Sequence, residues 1–181
     1  MARPKKIDRE QLLDAAEKLV RERGAAALTI DALAKASGIT KGGVQYTFSS
    51  KDEIIDAMFA RWNIGYDQRF DELTGDSLDP ERRIRAHITA TKEGDETSYT
   101  KAASLMAALL QTPENLESTR EWYRDRLLGL DLSTLEGRRL WLGFLASEGA
   151  FLLHYLRFLP IDEEEWDRTY EDIDRLLDKE F

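Results

Sequence analysis

Residues 29–51 constrain this chain more than any other stretch: Thr-Ile-Asp-Ala-Leu-Ala-Lys-Ala-Ser-Gly-Ile-Thr-Lys-Gly-Gly-Val-Gln-Tyr-Thr-Phe-Ser-Ser-Lys. Thr29 has the chemistry of a helix N-cap, since its hydroxyl can accept a free N–H of the first turn. Asp31 follows inside that turn, where the helix dipole favours negative charge. Ile30, Leu33 and Ala34 share an inward face. Ser37-Gly38 breaks the helix, Ile39 turns back to the core, and Thr40 caps a second short helix over residues 40–47. Two short helices joined by a tight turn, with polar residues along the second, make a helix-turn-helix.

Charge places this motif in the one basic part of an acidic chain. The 181 residues carry a net charge of −9. Residues 1–51 hold ten Lys or Arg against six Asp or Glu, a local net charge of +4, which leaves −13 for residues 52–181. One end can attract phosphates while the other repels them. The apolar share of 42% suffices for a core, and the absence of cysteine excludes disulfides and thiolate metal sites. The charged N-terminus precedes no apolar run, so a cytoplasmic protein without a signal peptide is expected. Glu148, His154 and Arg157 interrupt the apolar stretch from Leu140 to Leu159, which reads as a buried helix and not a membrane span.

Elsewhere the chain also reads as helix. Asp8 with Gln11, Ser50 with Glu53, Ser133 with Glu136 and Asp162 with Glu165 have capping-box spacing. Asp79-Pro80 and Thr112-Pro113 place proline at a first helical position, where its missing N–H costs nothing. Gly24, Gly94, Gly129 and Pro160 supply stops. A polar loop is expected over 95–98, a helix over 99–111, and a long apolar helix from Ser133 to about Phe158. The last helix repeats Trp166, Tyr170, Ile173 and Leu177 at heptad-like spacing. The fold class is all-α, with about nine helices by these start and stop signals.

A recognition helix must present polar side chains to base edges in a major groove about 12 Å wide. Gln45 can pair with the N6 and N7 of adenine, and Lys41 can reach guanine or phosphate. Tyr46 and Thr47 can donate hydroxyls to phosphates, and Lys51 lies just beyond the helix end. Thr29 and Thr40 place helix N-termini where phosphates could approach. Gly42 and Gly43 are locally wasteful, because glycine inside a helix costs roughly 1 kcal/mol relative to alanine. Either they open a side-chain-free helix start that lets backbone approach the duplex, or they form a loop and the helix is shorter.

These residues resemble a known family. Residues 7–67 are similar to the DNA-binding domain of tetracycline-repressor-type (TetR/AcrR) transcriptional regulators. The likeness rests on Leu28-Thr29-Ile30-Asp31-Ala32-Leu33-Ala34, on Ser37-Gly38-Ile39-Thr40-Lys41-Gly42, and on Tyr46, Phe48 and Ser50-Lys51-Asp52-Glu53-Ile54. It implies a three-helix N-terminal DNA-binding domain joined by a fourth helix to a C-terminal helical ligand-binding and dimerisation domain, here 68–181. It further implies a repressor that binds a palindromic double-stranded DNA operator as a homodimer through its two C-terminal helices, and that a small-molecule effector releases. Gln45 departs from the family pattern, which has an aromatic residue there.

Trp62, Tyr66, His87, Met106, Leu110, Trp122, Tyr123, Trp141 and Phe144 fall on helices that could surround a ligand cavity, although aromatic and Met residues at helical spacing also serve as plain core. Residues 140–159 are apolar on more than one face, which asks for a covering partner. Gly143, Ala146 and Gly149-Ala150 allow close helix approach. Neither catalytic residues nor a cofactor or metal is expected: the two histidines have no metal-ligand spacing, and no phosphate-cradling glycine loop occurs. Two other classes remain open. An all-helical enzyme would rely on buried carboxylates, and an adaptor would use the same N-terminal fold to grip protein.

Overall fold

The computed structural model describes residues 8–110 and 116–179. The expected helix start at Thr112-Pro113 and the expected helix end at Gln111 lie outside them. Among the described residues there are nine α-helices and no strand. They are α1 (Arg9–Arg23), α2 (Ile30–Ser37), α3 (Lys41–Thr47), α4 (Lys51–Thr74), α5 (Pro80–Lys92), α6 (Glu96–Leu109), α7 (Glu117–Arg126), α8 (Leu135–Tyr155) and α9 (Glu163–Asp178), with one 3-10 turn at Ala25–Ala27.

Capping chemistry sets most of these boundaries. Thr29, Thr40, Asp79 and Asp162 cap α2, α3, α5 and α9 with their side chains, and Asp162 forms a full capping box with Glu165. Four expectations are corrected. In the Ser50 box, the Glu53 carboxylate accepts from the N–H of Ser49 and not from that of Ser50. Asp8 accepts from the N–H of Glu10, not Gln11, so its box does not close. α6 begins at Glu96, because the Asp95 carboxylate accepts the N–H of Ser98 at 2.7 Å and turns the expected loop into a first helical turn. α8 is capped by Thr134 rather than Ser133, and it ends at Tyr155, three residues before Phe158. There Arg157 takes a positive φ of 60°, and the N–H groups of Phe158 and Leu159 fold back onto the Leu153 carbonyl.

The chain divides into two compact units inside α4, after Trp62. The first holds α1, α2, α3 and the start of α4, and also takes the described residues of the segment Leu105–Ser118. Leu12 and Leu13 of α1, Leu28 before α2, Leu33 of α2, Val44 and Phe48 around α3, and Ile54 and Met58 of α4 are among its fully buried side chains. Arg61 and Trp62 fasten α4 to α1. The Arg61 guanidinium lies 2.7 Å from Asp14 and 3.5 Å from Glu17, and the Trp62 indole N–H donates to Glu17 at 2.8 Å.

The second unit packs α5 against α8 and α9. One cluster joins Ile84 and Ile88 of α5 to Leu140 and Phe144 of α8 and to Tyr170, Ile173 and Leu177 of α9. The heptad-spaced stripe of α9 is thus spent inside its own chain. Gly143 lets α8 and α9 meet closely: a Cβ there would lie 2.8 Å from Leu177 Cδ2. Ala150 is buried as well, whereas Ala146 is exposed and an added Cβ on Gly149 would meet nothing within 4 Å. The outward face of α8 leaves Leu142, Leu145 and Leu153 in solvent. No helix among the described residues is long and apolar enough to cross a membrane.

Candidate nucleic-acid interface and buried polar cluster

α3 is held by one face and bare on the other. Val44 and Phe48 are fully buried, while Lys41, Gly42, Gln45 and Tyr46 are exposed and Gly43 and Thr47 half-buried. Tyr46 is 90% exposed, extreme for so large a side chain. Gly42 and Gly43 lie within the helix and not in a loop, and the Gly43 N–H donates to the Thr40 hydroxyl at 3.2 Å. An added Cβ on Gly42 would meet nothing within 4 Å, so no packing inside this unit calls for glycine there. Lys41 and Gln45 stand one turn apart on the same face. Thr29 lies exposed at the start of α2, its hydroxyl accepting the N–H of Ala32, and Lys51 opens α4.

Of the ligand candidates, the second unit gathers six. Phe144 lies 4.6 Å from the His87 ring centroid, Trp122 lies 5.4 Å from Tyr66 and 5.0 Å from Tyr123, and Trp141 stacks on Phe144 at 5.9 Å. Trp62, Met106 and Leu110 fall with the first unit, where the Trp62 indole N–H is taken by Glu17 and Leu110 is exposed.

Around these rings stands a polar network that the sequence reading did not assign. Arg126 is buried, donates from Nε to the Tyr66 hydroxyl at 3.1 Å and from its two Nη atoms to Asp125 and Asp67, and lies over the Phe70 and Trp122 rings. Arg83 donates to the Asp125 carboxylate at 2.8 Å. The Tyr66 hydroxyl, accepting from Arg126, also shares a hydrogen bond with His87 Nδ1 at 2.8 Å. His87 Nε2 lies 3.0 Å from Glu148 Oε1 without being aligned on it as a hydrogen bond. Tyr123 donates to the other Glu148 oxygen at 2.5 Å. Burial pushes the Tyr66 and Tyr123 hydroxyls well above the usual phenol range, and for Tyr123 the Glu148 charge adds to it. Both therefore remain donors at neutral pH. Glu148 was legible only as a charge in an apolar helix, and its partners lie on helices distant in sequence.

Residues 81–178 match the tetracyclin repressor-like C-terminal domain, more than half of the chain, and residues 12–58 match the bacterial regulatory proteins of the tetR family. The chain belongs to the TetR family. A TetR-family chain of this kind is a DNA-binding transcriptional regulator and not an enzyme. It is 27% identical over 146 residues to the HTH-type transcriptional repressor KstR2 of Rhodococcus jostii (strain RHA1), covering 79% of this chain and 67% of that protein. Its fold is similar to that of the multidrug binding protein EbrR complexed with malachite green, with a TM-score of 0.64 at 21% identity over 96% of this chain and 98% of that one. A TetR-like transcriptional regulator from Rhodococcus sp. RHA1 gives a TM-score of 0.62 at 18% identity, covering 99% and 98% of the two chains.

Proposed function

We propose that this TetR-family regulator is a cytoplasmic repressor that binds a palindromic operator as a homodimer and is released by a small-molecule effector. The observation that carries the DNA reading is α3 itself, seven residues anchored by Val44 with their polar side left in solvent. On this reading Gln45 and Lys41 face base edges, and Tyr46, Thr47, Lys51 and Thr29 face phosphates. Thr40 orders the first turn, and Gly42-Gly43 let its backbone come close. The exposed leucines of α8 favour a partner copy of the last two helices, which would cover them. Two-fold symmetry then sets the two copies of α3 about 34–36 Å apart, or a multiple of that, on inverted half-sites.

The effector site is proposed beside His87, Trp122, Tyr123, Phe144 and Glu148, where rings supply apolar walls and the hydroxyl–imidazole–carboxylate chain supplies orientation. Support comes from the fold relative EbrR, which was obtained in complex with imidazole and with malachite green. The test of the DNA reading is the triple variant Lys41→Ala, Gln45→Ala, Lys51→Ala in the full chain. Fluorescence anisotropy on duplexes from its own upstream region should show sequence-selective binding lost, with oligomeric state and thermal midpoint kept. Unfolding of the variant, or undiminished selectivity, refutes the assignment.

A further inference from the structure

We propose that Asp31 is an internal competitor of DNA at α3, lowering operator affinity by holding Lys41 in an intramolecular ion pair. The inference rests on the DNA reading given above. Lys41 Nζ lies 3.1 Å from both carboxylate oxygens of Asp31. Asp31 sits in the first turn of α2 and Lys41 opens α3, so the contact bridges the turn between the two helices.

The position of the pair gives it consequence. Lys41 stands one turn before Gln45 on the bare face of α3, where a duplex would lie. A lysine ammonium is a compact point charge with three donors, and a carboxylate and a phosphate compete for it directly. Both side chains are more than half exposed, 56% for Lys41 and 66% for Asp31, so in water the pair is weak and quickly exchanged. Docking has to replace Asp31 by a base or phosphate oxygen, and the pair's stability is subtracted from the gain. Asp31 also serves α2 by standing near its positive end. It can therefore be kept for the helix while holding operator binding below its maximum, which leaves the complex easier to release.

The test uses the full chain and a duplex enriched from a random pool by the wild-type protein. Asp31→Asn should tighten binding to that duplex by about three-fold per half-site, about ten-fold for two half-sites, as expected of an exposed ion pair removed from the free state. In a Lys41→Met background the same Asp31→Asn change should tighten nothing, and Asp31→Glu, which can rebuild the pair, should bind like wild type. Thermal unfolding of each variant checks that α2 is intact. Equal tightening with and without Lys41 would mean that Asp31 repels DNA by its own charge, and would overturn the proposal. So would unchanged or weaker binding by Asp31→Asn, which would mean that Lys41 works from within the pair. A selective wild type with no Asp31 effect rejects only this inference, whereas a folded wild type that enriches no duplex rejects the DNA reading and this inference with it.

Discussion

Gln45 presents its amide to solvent one turn beyond Lys41, in a unit whose interior is closed by Val44 and Phe48. A bidentate amide–adenine pair is worth about 1–3 kcal/mol of discrimination. Gln45→Ala is therefore expected to weaken binding to a selected duplex by about that amount per half-site, and to leave binding to mixed-sequence DNA nearly unchanged, as read by anisotropy. Arg126 offers a stability test. Its guanidinium is buried against two rings and shared by Asp67, Asp125 and the Tyr66 hydroxyl, but both carboxylates are about half exposed. Arg126→Leu should cost about 1–3 kcal/mol in urea unfolding, less than a fully buried pair because water can re-solvate Asp67 and Asp125. The tyrosines carry a pH test. Burial raises Tyr66, Tyr99, Tyr123 and Tyr170, and it pushes Tyr155 up to about 12. Above about pH 10 the unfolded chain releases these protons while the native chain keeps them, so stability present at lower pH is lost as pH rises through 12. Urea midpoints should be insensitive to tyrosine below about pH 9 and fall steeply beyond pH 10.

At the scale of elements, helix starts were legible where one side chain decides them. Thr29, Thr40, Asp79 and Asp162 cap as their chemistry requires. Where two neighbours compete, the sequence could not choose. Ser133 and Thr134 both have capping chemistry, and Thr134 wins because its hydroxyl also donates to the Asp131 carbonyl at 2.9 Å while accepting from Gly137. The HTH was readable because its parts lie within residues 29–51. Tyr66, His87 and Tyr123 were legible as members of an aromatic pool but their link to Glu148 was not, because the four come from α4, α5, α7 and α8, and only packing joins them. α3 itself gives a prediction of opposing signs. Gly42→Ala should stabilise the protein by roughly 0.5–1 kcal/mol, since alanine is the better helix former and its Cβ meets nothing. The same change should weaken DNA binding if backbone approach is what glycine serves there. A gain in both quantities would assign Gly42 no part in the interface.

For the whole molecule, a basic front, an acidic remainder and an uncovered α8 face fit the proposed two-fold DNA reader. Leu145→Asp places a charge on that face without touching the α8–α9 contact at Gly143. It should shift sedimentation from dimer to monomer while the far-ultraviolet helix signal stays. The most direct test is selection of duplexes from a random pool by the full-length chain, followed by titration of the enriched duplex at two salt concentrations. Inverted half-sites centred about one helical turn or a multiple apart are expected, bound by two copies of the chain, with affinity falling steeply as salt rises. Recovery of no preferred sequence by folded, dimeric protein would contradict the DNA reading.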